Sequence, residues 1–218
     1  MKVFSTRGGS EVSLSEAIST GLAPDGGLYT PPSLPAHSGP WGADLQSRVS
    51  TLLRPFFAGE VLEHSLEQII HETFTFDAPT KWLSHDTGLL ELFHGPTAAF
   101  KDFGARFLAA CLSRLTRVDR LTTVLVATSG DTGAAVASAF HRRPGFRVVI
   151  LYPEGRVSPR QAHQLGAFGE NVAAFKVKGT FDDCQRVVKA AFADRALSTA
   201  HALVSANSIS LGRLLPQM

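Results

Sequence analysis

The stretch TTVLVATSGDTGAAVASAF, residues 122–140, joins a β-branched apolar run to an alanine-rich run through a loop of small polar residues. The first run (122–128) has the composition of a buried strand, and DTGAAVASAFHRR (131–143) is spaced as a helix. Strand-like and helix-like segments then alternate at 146–152, 158–168, 171–179, 180–194, 201–206 and 208–217. This alternation predicts parallel strands with crossover helices, and therefore an open, mainly parallel α/β sheet.

The chain before this sheet is expected to be helical with irregular connections. Helices are predicted at 13–22, 44–57 and 65–74. Pro55 is expected to interrupt the second of them, because proline removes a helical hydrogen bond. GGLYTPPSLP (26–35) predicts an extended segment, and GLLELF (88–93) is interpreted as the first strand of the alternating part.

Composition is typical of an ordinary globular protein. The chain has 218 residues, 44% of them hydrophobic and 18% charged, and a net charge of +2. This net charge is far below the positive excess typical of nucleic-acid-binding proteins. No apolar run reaches membrane-spanning length. The N-terminal residues lack the apolar core of a signal peptide, and Cys111 and Cys184 are interpreted as reduced thiols of a cytoplasmic protein. The histidines show no spacing typical of metal ligands, so no metal site is predicted.

A single lysine, Lys101, interrupts the nearly apolar segment FHGPTAAFKDFG (93–104), and a helix is predicted to begin near it. Phe100 and Phe103 indicate burial, which lysine tolerates poorly without a partner. One interpretation is a snorkelling side chain, whose stem covers apolar surface while its ammonium reaches water. The other is a desolvated amine that attacks or holds a carbonyl group. This segment alone leaves both interpretations open.

The loop at 129–133 is the second candidate site, because it follows a buried strand and opens a helix. Its small residues let a ligand approach the main chain, and the first amides of a helix attract an anion. Ser, Asp and Thr are also ordinary helix caps, so a structural loop is the alternative. Ligands bind at the carboxyl ends of parallel strands, so Lys101 and this loop are expected to face one cleft. An amine and an anion cup together suit an amino-acid substrate on an aldehyde cofactor.

The segments ELFHGPTAAFKDFGARF and ATSGDTGAAVASAF resemble the threonine synthase family, pyridoxal-phosphate enzymes with the tryptophan-synthase β-subunit-like fold. STRG, GLAPDGGLYTP, VVILYPEGRVSP and ANSISLGRLLPQ resemble the same family in the same order. The resemblance therefore spans nearly the whole chain, and it implies pyridoxal 5'-phosphate as the cofactor.

The resemblance also implies roles for individual residues. Lys101 would hold the cofactor aldehyde as an imine and carry protons to and from substrate carbons. The residues expected to contact the cofactor are Lys101, Phe100, Thr97 and Asp131. The residues expected to hold the substrate carboxylate are Ser129, Gly130 and Thr132.

The reaction implied by the resemblance converts O-phospho-L-homoserine and water to L-threonine and phosphate, by γ-elimination and addition of water at Cβ. A phospholyase that stops after phosphate loss and releases an α-keto acid has nearly the same motifs and stays an alternative. Ala98, where the family often has a larger apolar residue, and Ser210, where it has asparagine, depart from the family pattern. These departures are expected to alter substrate fit without abolishing the chemistry.

The chain ends at Met218, whereas family members continue for about as long again, and it holds no glycine-rich loop for the cofactor phosphate. The sequence therefore predicts either part of a threonine synthase or a non-catalytic remnant of one. The 218-residue chain alone is expected not to turn over substrate. Apolar surface left uncovered at 208–218 and on the helix after Lys101 is expected to favour self-association. The predicted divisions are an N-terminal region (1–88), the start of the large cofactor domain (89–121), a small α/β domain (122–206) and a return segment (207–218).

Overall fold

The structure, a computed structural model, describes residues 1–9, 11–36, 39–116 and 120–217, and its N-terminal region combines helices with short strands. The strands β1 (Lys2–Ser5), β2 (Val12–Ser13) and β3 (Tyr29–Thr30) pair antiparallel in the order β2–β1–β3. The helices are α1 (Leu14–Thr20), α2 (Leu45–Phe57) and α3 (Leu66–Thr73). The three predicted helices are confirmed, but the sheet was not predicted, because four residues such as KVFS are too few to show a period.

Pro55 does not interrupt α2, so that prediction is wrong. The helix runs through Pro55 to Phe57. Pro55 lies in the last turn, so its missing N–H removes one hydrogen bond near the end of the helix and leaves the turns before it intact. Leu53, Phe56 and Phe57 stay buried around it, and their burial holds the end of the helix against the core.

Glu60 fastens the N-terminal strand and α1 to the connection between α2 and α3. Its carboxylate is 6% exposed and lies 2.6 Å from the terminal ammonium of Met1. It also accepts hydrogen bonds from the Ser15 hydroxyl at 2.7 Å, the Ser15 N–H at 3.1 Å and the Leu14 N–H at 3.3 Å. Burial alone would raise the pKa of Glu60, but these hydrogen bonds outweigh it and hold the pKa below its ordinary value of 4.5.

Replacing Glu60 with glutamine is therefore expected to destabilise the chain at pH 7 by about 1–3 kcal/mol, the cost of weakened charged hydrogen bonds. Because the folded-state pKa is lowered, the stabilisation is complete above about pH 4.5 and is lost as the pH falls through the folded-state pKa. Urea denaturation of both proteins between pH 7 and pH 3 measures this. A difference between wild type and Glu60→Gln that does not shrink on acidification would contradict it.

An exposed hairpin follows the N-terminal region. β4 (Thr80–Trp82) pairs antiparallel with β5 (Gly88–Leu90), with Trp82 opposite Gly88. The strand predicted from GLLELF is therefore shorter than expected and lies outside the parallel sheet, because its partner is the preceding segment. The hairpin carries exposed large apolar side chains, with Trp82 67% exposed and Leu90 54% exposed.

The central helix of the fold is α4 (Lys101–Leu115), which begins at the predicted residue. It packs against α1 and α3 of the N-terminal region and against the helices that follow it. Nearly every position from Asp102 to Leu112 is buried, with Arg106 the partly exposed exception. The expectation that α4 would leave apolar surface uncovered is therefore wrong, because helices surround it.

The second half of the chain alternates strands with helices, as predicted. Its elements are β6 (Thr122–Ala127), α5 (Asp131–Phe140), β7 (Phe146–Pro153), α6 (Pro159–Gly166), β8 (Val172–Val177), α7 (Phe181–Ala193), α8 (Arg195–Ala200), β9 (Leu203–Ser205) and α9 (Leu211–Leu214). The strands form one parallel sheet in the order β8–β7–β6–β9. Strands predicted near 123–128, 147–152 and 172–177 are confirmed, and the segment near 201–206 joins them as β9.

The sheet reverses its winding at β6. This strand pairs on one side with β7, where Thr123 lies opposite Arg147, and on the other with β9, where Thr123 lies opposite Leu203. Successive strands β6, β7 and β8 step in one direction, and β9 returns to the other side of β6. Ligands of open α/β sheets bind at such reversals, at the carboxyl ends of the strands. The loop after β6 lies at this point.

The last segment of the chain is partly covered. Leu211 and Leu215 are buried, whereas Ile209 and Leu214 are 41% and 45% exposed. Part of the predicted uncovered apolar surface therefore exists here, although more of it lies on the β4–β5 hairpin. Cys111 and Cys184 are both buried and unpaired. Among the residues described, no helix is long and apolar enough to cross a membrane.

Candidate active site

Lys101 occupies the first position of α4 and points its amine at the loop after β6. Its side chain is 22% exposed, and Nζ donates to Asp131 Oδ2 across 3.5 Å. Nζ also lies 4.4 Å from the centre of the Phe100 ring, a distance typical of a cation–π contact. The structure thus brings together the two segments that the sequence predicted to share a cleft.

Thr128 holds the loop after β6 in shape. Its buried hydroxyl accepts the N–H of Gly130 at 3.0 Å and that of Gly133 at 2.9 Å, and it donates to the Gly130 carbonyl at 3.0 Å. The amides of Asp131 and Thr132, at the start of α5, donate to no acceptor among the residues that the structure describes. These amides are therefore available to an anion, as expected of a helix start.

Gly130 adopts a backbone conformation that favours glycine, with φ +145°. A Cβ at this position would lie 2.3 Å from Gln161 Nε2, so a side chain here would displace the end of Gln161. Glycine therefore permits both the turn into α5 and the contact of α6 with the loop. The sequence predicted the small residue, but not the helix that packs on it.

The cleft beside Lys101 has a volume of about 280 Å³ and is mostly polar at its surface. Its walls come from the loop before α4, from the start of α5 and from α6. The lining residues are Thr97, Ala98, Asp131, Ser158, Arg160, Gln161 and Gln164. No prediction named the α6 residues as part of the site, since SPRQ reads from sequence as a helix cap, which Ser158 indeed forms.

Thr97, predicted to contact the cofactor, is held by Asp102. The Thr97 N–H donates to Asp102 Oδ2 at 2.9 Å, and its hydroxyl donates to Oδ1 at 2.7 Å. Asp102 is 1% exposed, and a Cβ on Gly95 would lie 2.5 Å from its Oδ2. One buried carboxylate thus fixes the turn that precedes Lys101.

Arg213 lies fully buried on the other side of Lys101. Its Nη1 donates to the Ala206 carbonyl at 3.0 Å, just after β9, and its Nη2 donates to the Lys101 carbonyl at 3.5 Å. Burial lowers the pKa of Arg213 to about 10, opposed by the charge of Asp102. Arg213 therefore joins the carboxyl end of β9 to the first residue of α4. Neither Arg213 nor Asp102 was predicted.

The other predicted residues lie as follows. Phe100 precedes α4 with its ring 46% exposed, and Ser129 is exposed on the loop. Ala98 lines the cleft with a positive φ of 56°, a conformation uncommon for a residue other than glycine. Ser210 is buried at the start of α9, beside Gly21, and its hydroxyl has no partner among the described residues.

Comparison with known families identifies the kind of site. A family model described as "Pyridoxal-phosphate dependent enzyme" matches residues 83–209, which include Lys101, the loop after β6 and α6. The chain belongs to this family. A second model, described as "Threonine synthase N terminus", matches residues 2–74. The resemblance to pyridoxal-phosphate enzymes of the threonine synthase type is thereby confirmed, and the description of the matched family names the cofactor that the resemblance implied.

Relatives of this family are similar along the whole chain. Threonine synthase from Escherichia coli is 43% identical over 224 residues, covering 100% of this chain and 52% of the relative. Threonine synthase from Saccharomyces cerevisiae is 37% identical, covering 95% and 45%. The chain spans about half the length of the curated relatives it matches.

Solved structures of pyridoxal-phosphate enzymes confirm the fold class. The crystal structure of threonine synthase from E. coli superposes with a TM-score of 0.90 at 41% identity, covering 100% of this chain and 52% of that one. A threonine synthase structure from Brucella melitensis with pyridoxal phosphate bound has a TM-score of 0.88 at 38% identity, with coverages of 100% and 50%. The small parallel sheet and its helical N-terminal region thus have the arrangement found in these enzymes.

Proposed function

We propose that the protein supplies the lysine-bearing half of a threonine synthase site, which converts O-phospho-L-homoserine and water to L-threonine and phosphate. The observation that carries this proposal is the 3.5 Å approach of Lys101 Nζ to Asp131 Oδ2, since it joins an amine and a helix start in one cleft. The relatives named threonine synthase support this choice of reaction.

The residues of the cleft fit the aldehyde end of pyridoxal phosphate. When bound, the cofactor supplies an aldehyde that a lysine amine can hold, and a ring that stabilises negative charge on a substrate carbon. Lys101 offers a primary amine that is mostly covered and contacts Asp131, a residue of the cleft wall. The Phe100 ring and Thr97, which Asp102 holds in place, are the proposed walls around the aldehyde.

The start of α5 is the proposed binding site for the substrate carboxylate. The free amides of Asp131 and Thr132 act with the hydroxyls of Ser129 and Thr132, and Gly130 lets the carboxylate approach the main chain. The hydrogen bonds that the Thr128 hydroxyl accepts from Gly130 and Gly133 hold the loop in the conformation that exposes these amides. Arg160, a cation on the α6 wall, is the candidate partner for the substrate phosphate.

Lys101 is the proposed proton carrier at the substrate carbons. As a neutral amine it accepts a proton from carbon, and as an ammonium it returns one. Asp131 holds the ammonium form within the cleft, since its Oδ2 faces Nζ. A carboxylate beside a substrate carboxylate would repel it, so contact with Lys101 and the cofactor edge suits Asp131 better than contact with the substrate anion.

A product assay tests this function. The 218-residue chain, given pyridoxal phosphate and O-phospho-L-homoserine, is expected to release neither threonine nor phosphate, because it spans about half the length of the relatives named threonine synthase. A chimera that adds the unmatched C-terminal half of the E. coli relative is expected to release both in equal amounts. Release of an α-keto acid instead of threonine would favour the phospholyase, and a folded, cofactor-loaded chimera without any product would contradict the proposal.

We include in this proposal a cytoplasmic location and a tendency to self-associate. The unpaired cysteines support the location, because thiols persist in reducing compartments. The exposed apolar side chains of the β4–β5 hairpin support the association, since large uncovered apolar surface favours contact between chains.

A further inference from the structure

We propose that Gln161 is a positioning residue that clamps Asp131 toward Lys101, so that the lysine ammonium keeps a carboxylate partner inside the cleft. The inference rests on the proposed function, in which Lys101 is the amine that holds the cofactor aldehyde. It extends that function to α6, a helix to which the sequence assigned only structural features.

The two oxygens of Asp131 have different partners. Oδ1 accepts a hydrogen bond from Gln161 Nε2 at 2.7 Å, and Oδ2 faces Lys101 Nζ at 3.5 Å. The shorter contact comes from the neutral amide and the longer from the charged amine. Gln161 therefore holds the carboxylate, and the carboxylate is presented to Lys101.

Ser158 fixes which way the Gln161 amide faces. The Gln161 oxygen accepts the backbone N–H of Ser158 at 3.1 Å and lies 3.0 Å from its hydroxyl. A backbone N–H can only donate, so the oxygen of the amide must face Ser158. The amide nitrogen then faces Asp131, where it can only donate to a carboxylate. The capping box of α6 thus sets the direction of the clamp.

Gly130 lets α6 come close enough for this contact. Any side chain at position 130 would meet the end of Gln161, which lies within 2.3 Å of the site of a Cβ. The turn that exposes the amides of α5 and the approach of Gln161 therefore depend on the same glycine.

Exposure explains why Asp131 needs a clamp. Its side chain is 46% exposed, and an ion pair open to water at 3.5 Å contributes little by itself. Without Gln161 the carboxylate would be free to turn to solvent, and Lys101 would lose its partner. Gln164, one turn further along α6, lines the same cleft and provides a matched control.

The test is competitive acetylation of the 218-residue chain with trace acetic anhydride at pH 8. The measured quantity is the acetylation ratio, the labelling of Lys101 divided by the labelling of the exposed Lys81. Pairing with Asp131 holds the amine against the carboxylate and keeps it from the reagent, so loss of the pair should raise the ratio. Asp131→Asn and Gln161→Ala are each expected to raise it roughly two- to five-fold, the scale of a partly exposed ion pair. The double variant should match Asp131→Asn, because Gln161 acts through Asp131.

Two controls separate the clamp from the stability of α6. Gln164→Ala should leave the ratio unchanged. Ser158→Ala should lower the melting temperature by weakening the same helix cap, yet leave the ratio nearly unchanged, since the backbone N–H of residue 158 still orients Gln161. An unchanged ratio in Gln161→Ala, an equal rise in either control, or additive effects in the double variant would overturn the proposal.

A second measurement distinguishes failure of the clamp from failure of the proposed function. The wild-type chain is treated with pyridoxal phosphate and borohydride, and peptide mass spectrometry locates the attached cofactor. Selective attachment at Lys101 with an unchanged acetylation ratio in Gln161→Ala would leave the function standing and remove the clamp. The expected ratios without selective attachment would leave the clamp standing and remove the function.

Discussion

Replacing Lys101 with alanine is expected to abolish selective attachment of pyridoxal phosphate and, in the chimera with the E. coli half, all production of threonine. An imine needs a primary amine that can lose its proton, and the Lys101 amine contacts Asp131 at the wall of the cleft. Lys101→Arg should fail equally, because the guanidinium stays protonated. A loss of about 10⁵-fold or more is expected, which is below detection in the assay and corresponds to the effective concentration that fixed geometry supplies. Borohydride trapping and phosphate release measure the two effects.

A chemical rescue separates loss of the amine from loss of the fold. Lys101→Cys treated with bromoethylamine carries an amine at nearly the same reach, so attachment of the cofactor should return. The native thiols interfere little, because Cys111 and Cys184 are buried and burial raises the pKa of Cys111 above its ordinary value of 9.0. Lys81→Ala, on the exposed hairpin, is the matched control and should behave as wild type. Selective attachment retained in Lys101→Ala would contradict the covalent role.

Local patterns were enough to predict the parallel sheet and the two facing loops. β6 and β7 are rich in β-branched residues, and β6, β7 and β8 are each followed by a segment of helical period. The rule that ligands bind at the carboxyl ends of such strands placed the loop 129–133 correctly. For Lys101 its premise was wrong, because the strand predicted before this residue belongs to the exposed hairpin, although the amine does face the loop. The resemblance added the cofactor, which no periodicity in the chain reveals.

Contacts between distant segments could not be predicted in the same way. Asp102 follows Lys101 directly, and its sequence context reads as a charged first turn of a helix, yet it is buried and holds Thr97. Arg213 lies 112 residues after Lys101 and reaches its carbonyl only because β9 returns beside β6. A lone arginine in an apolar segment shows no spacing that identifies such a partner.

Gln161 illustrates a partial signal. From sequence, Ser158 is a plausible cap of the helix, and the structure shows a full capping box in which Gln161 takes part. The cap uses the side-chain oxygen of Gln161 as an acceptor, so the side-chain nitrogen of Gln161 is left to donate to another group. Which acceptor this is depends on the packing of α6 against α5, and single-sequence patterns carry no information about that packing.

The second large effect is expected for Asp102→Ala, which should destabilise the chain by about 3–5 kcal/mol, because two buried hydrogen bonds to a charged group are lost, each worth about 1.5–3 kcal/mol. The change removes both acceptors of Thr97 and leaves Arg213 buried without the opposing charge. Chemical denaturation measures the loss, a large part of the total stability of a domain. Asp86→Ala is a suitable control, because Asp86 accepts similar local hydrogen bonds from Ser84 and Thr87 on the exposed hairpin. Asp86→Ala should therefore change the denaturation midpoint little.

The charge and the hydrogen bonds of Asp102 are separable. Asp102→Asn keeps one acceptor for Thr97 but no charge, so it should lose less stability than Asp102→Ala while still leaving Arg213 uncompensated. Adding Arg213→Met removes the uncompensated cation and puts an apolar side chain in a buried site, a change that is often neutral or stabilising for buried pairs. In the Arg213→Met background, Asp102→Asn should therefore cost much less than it does alone. Equal costs in the two backgrounds would show that Asp102 and Arg213 do not interact, and that Asp102 acts on Thr97 alone.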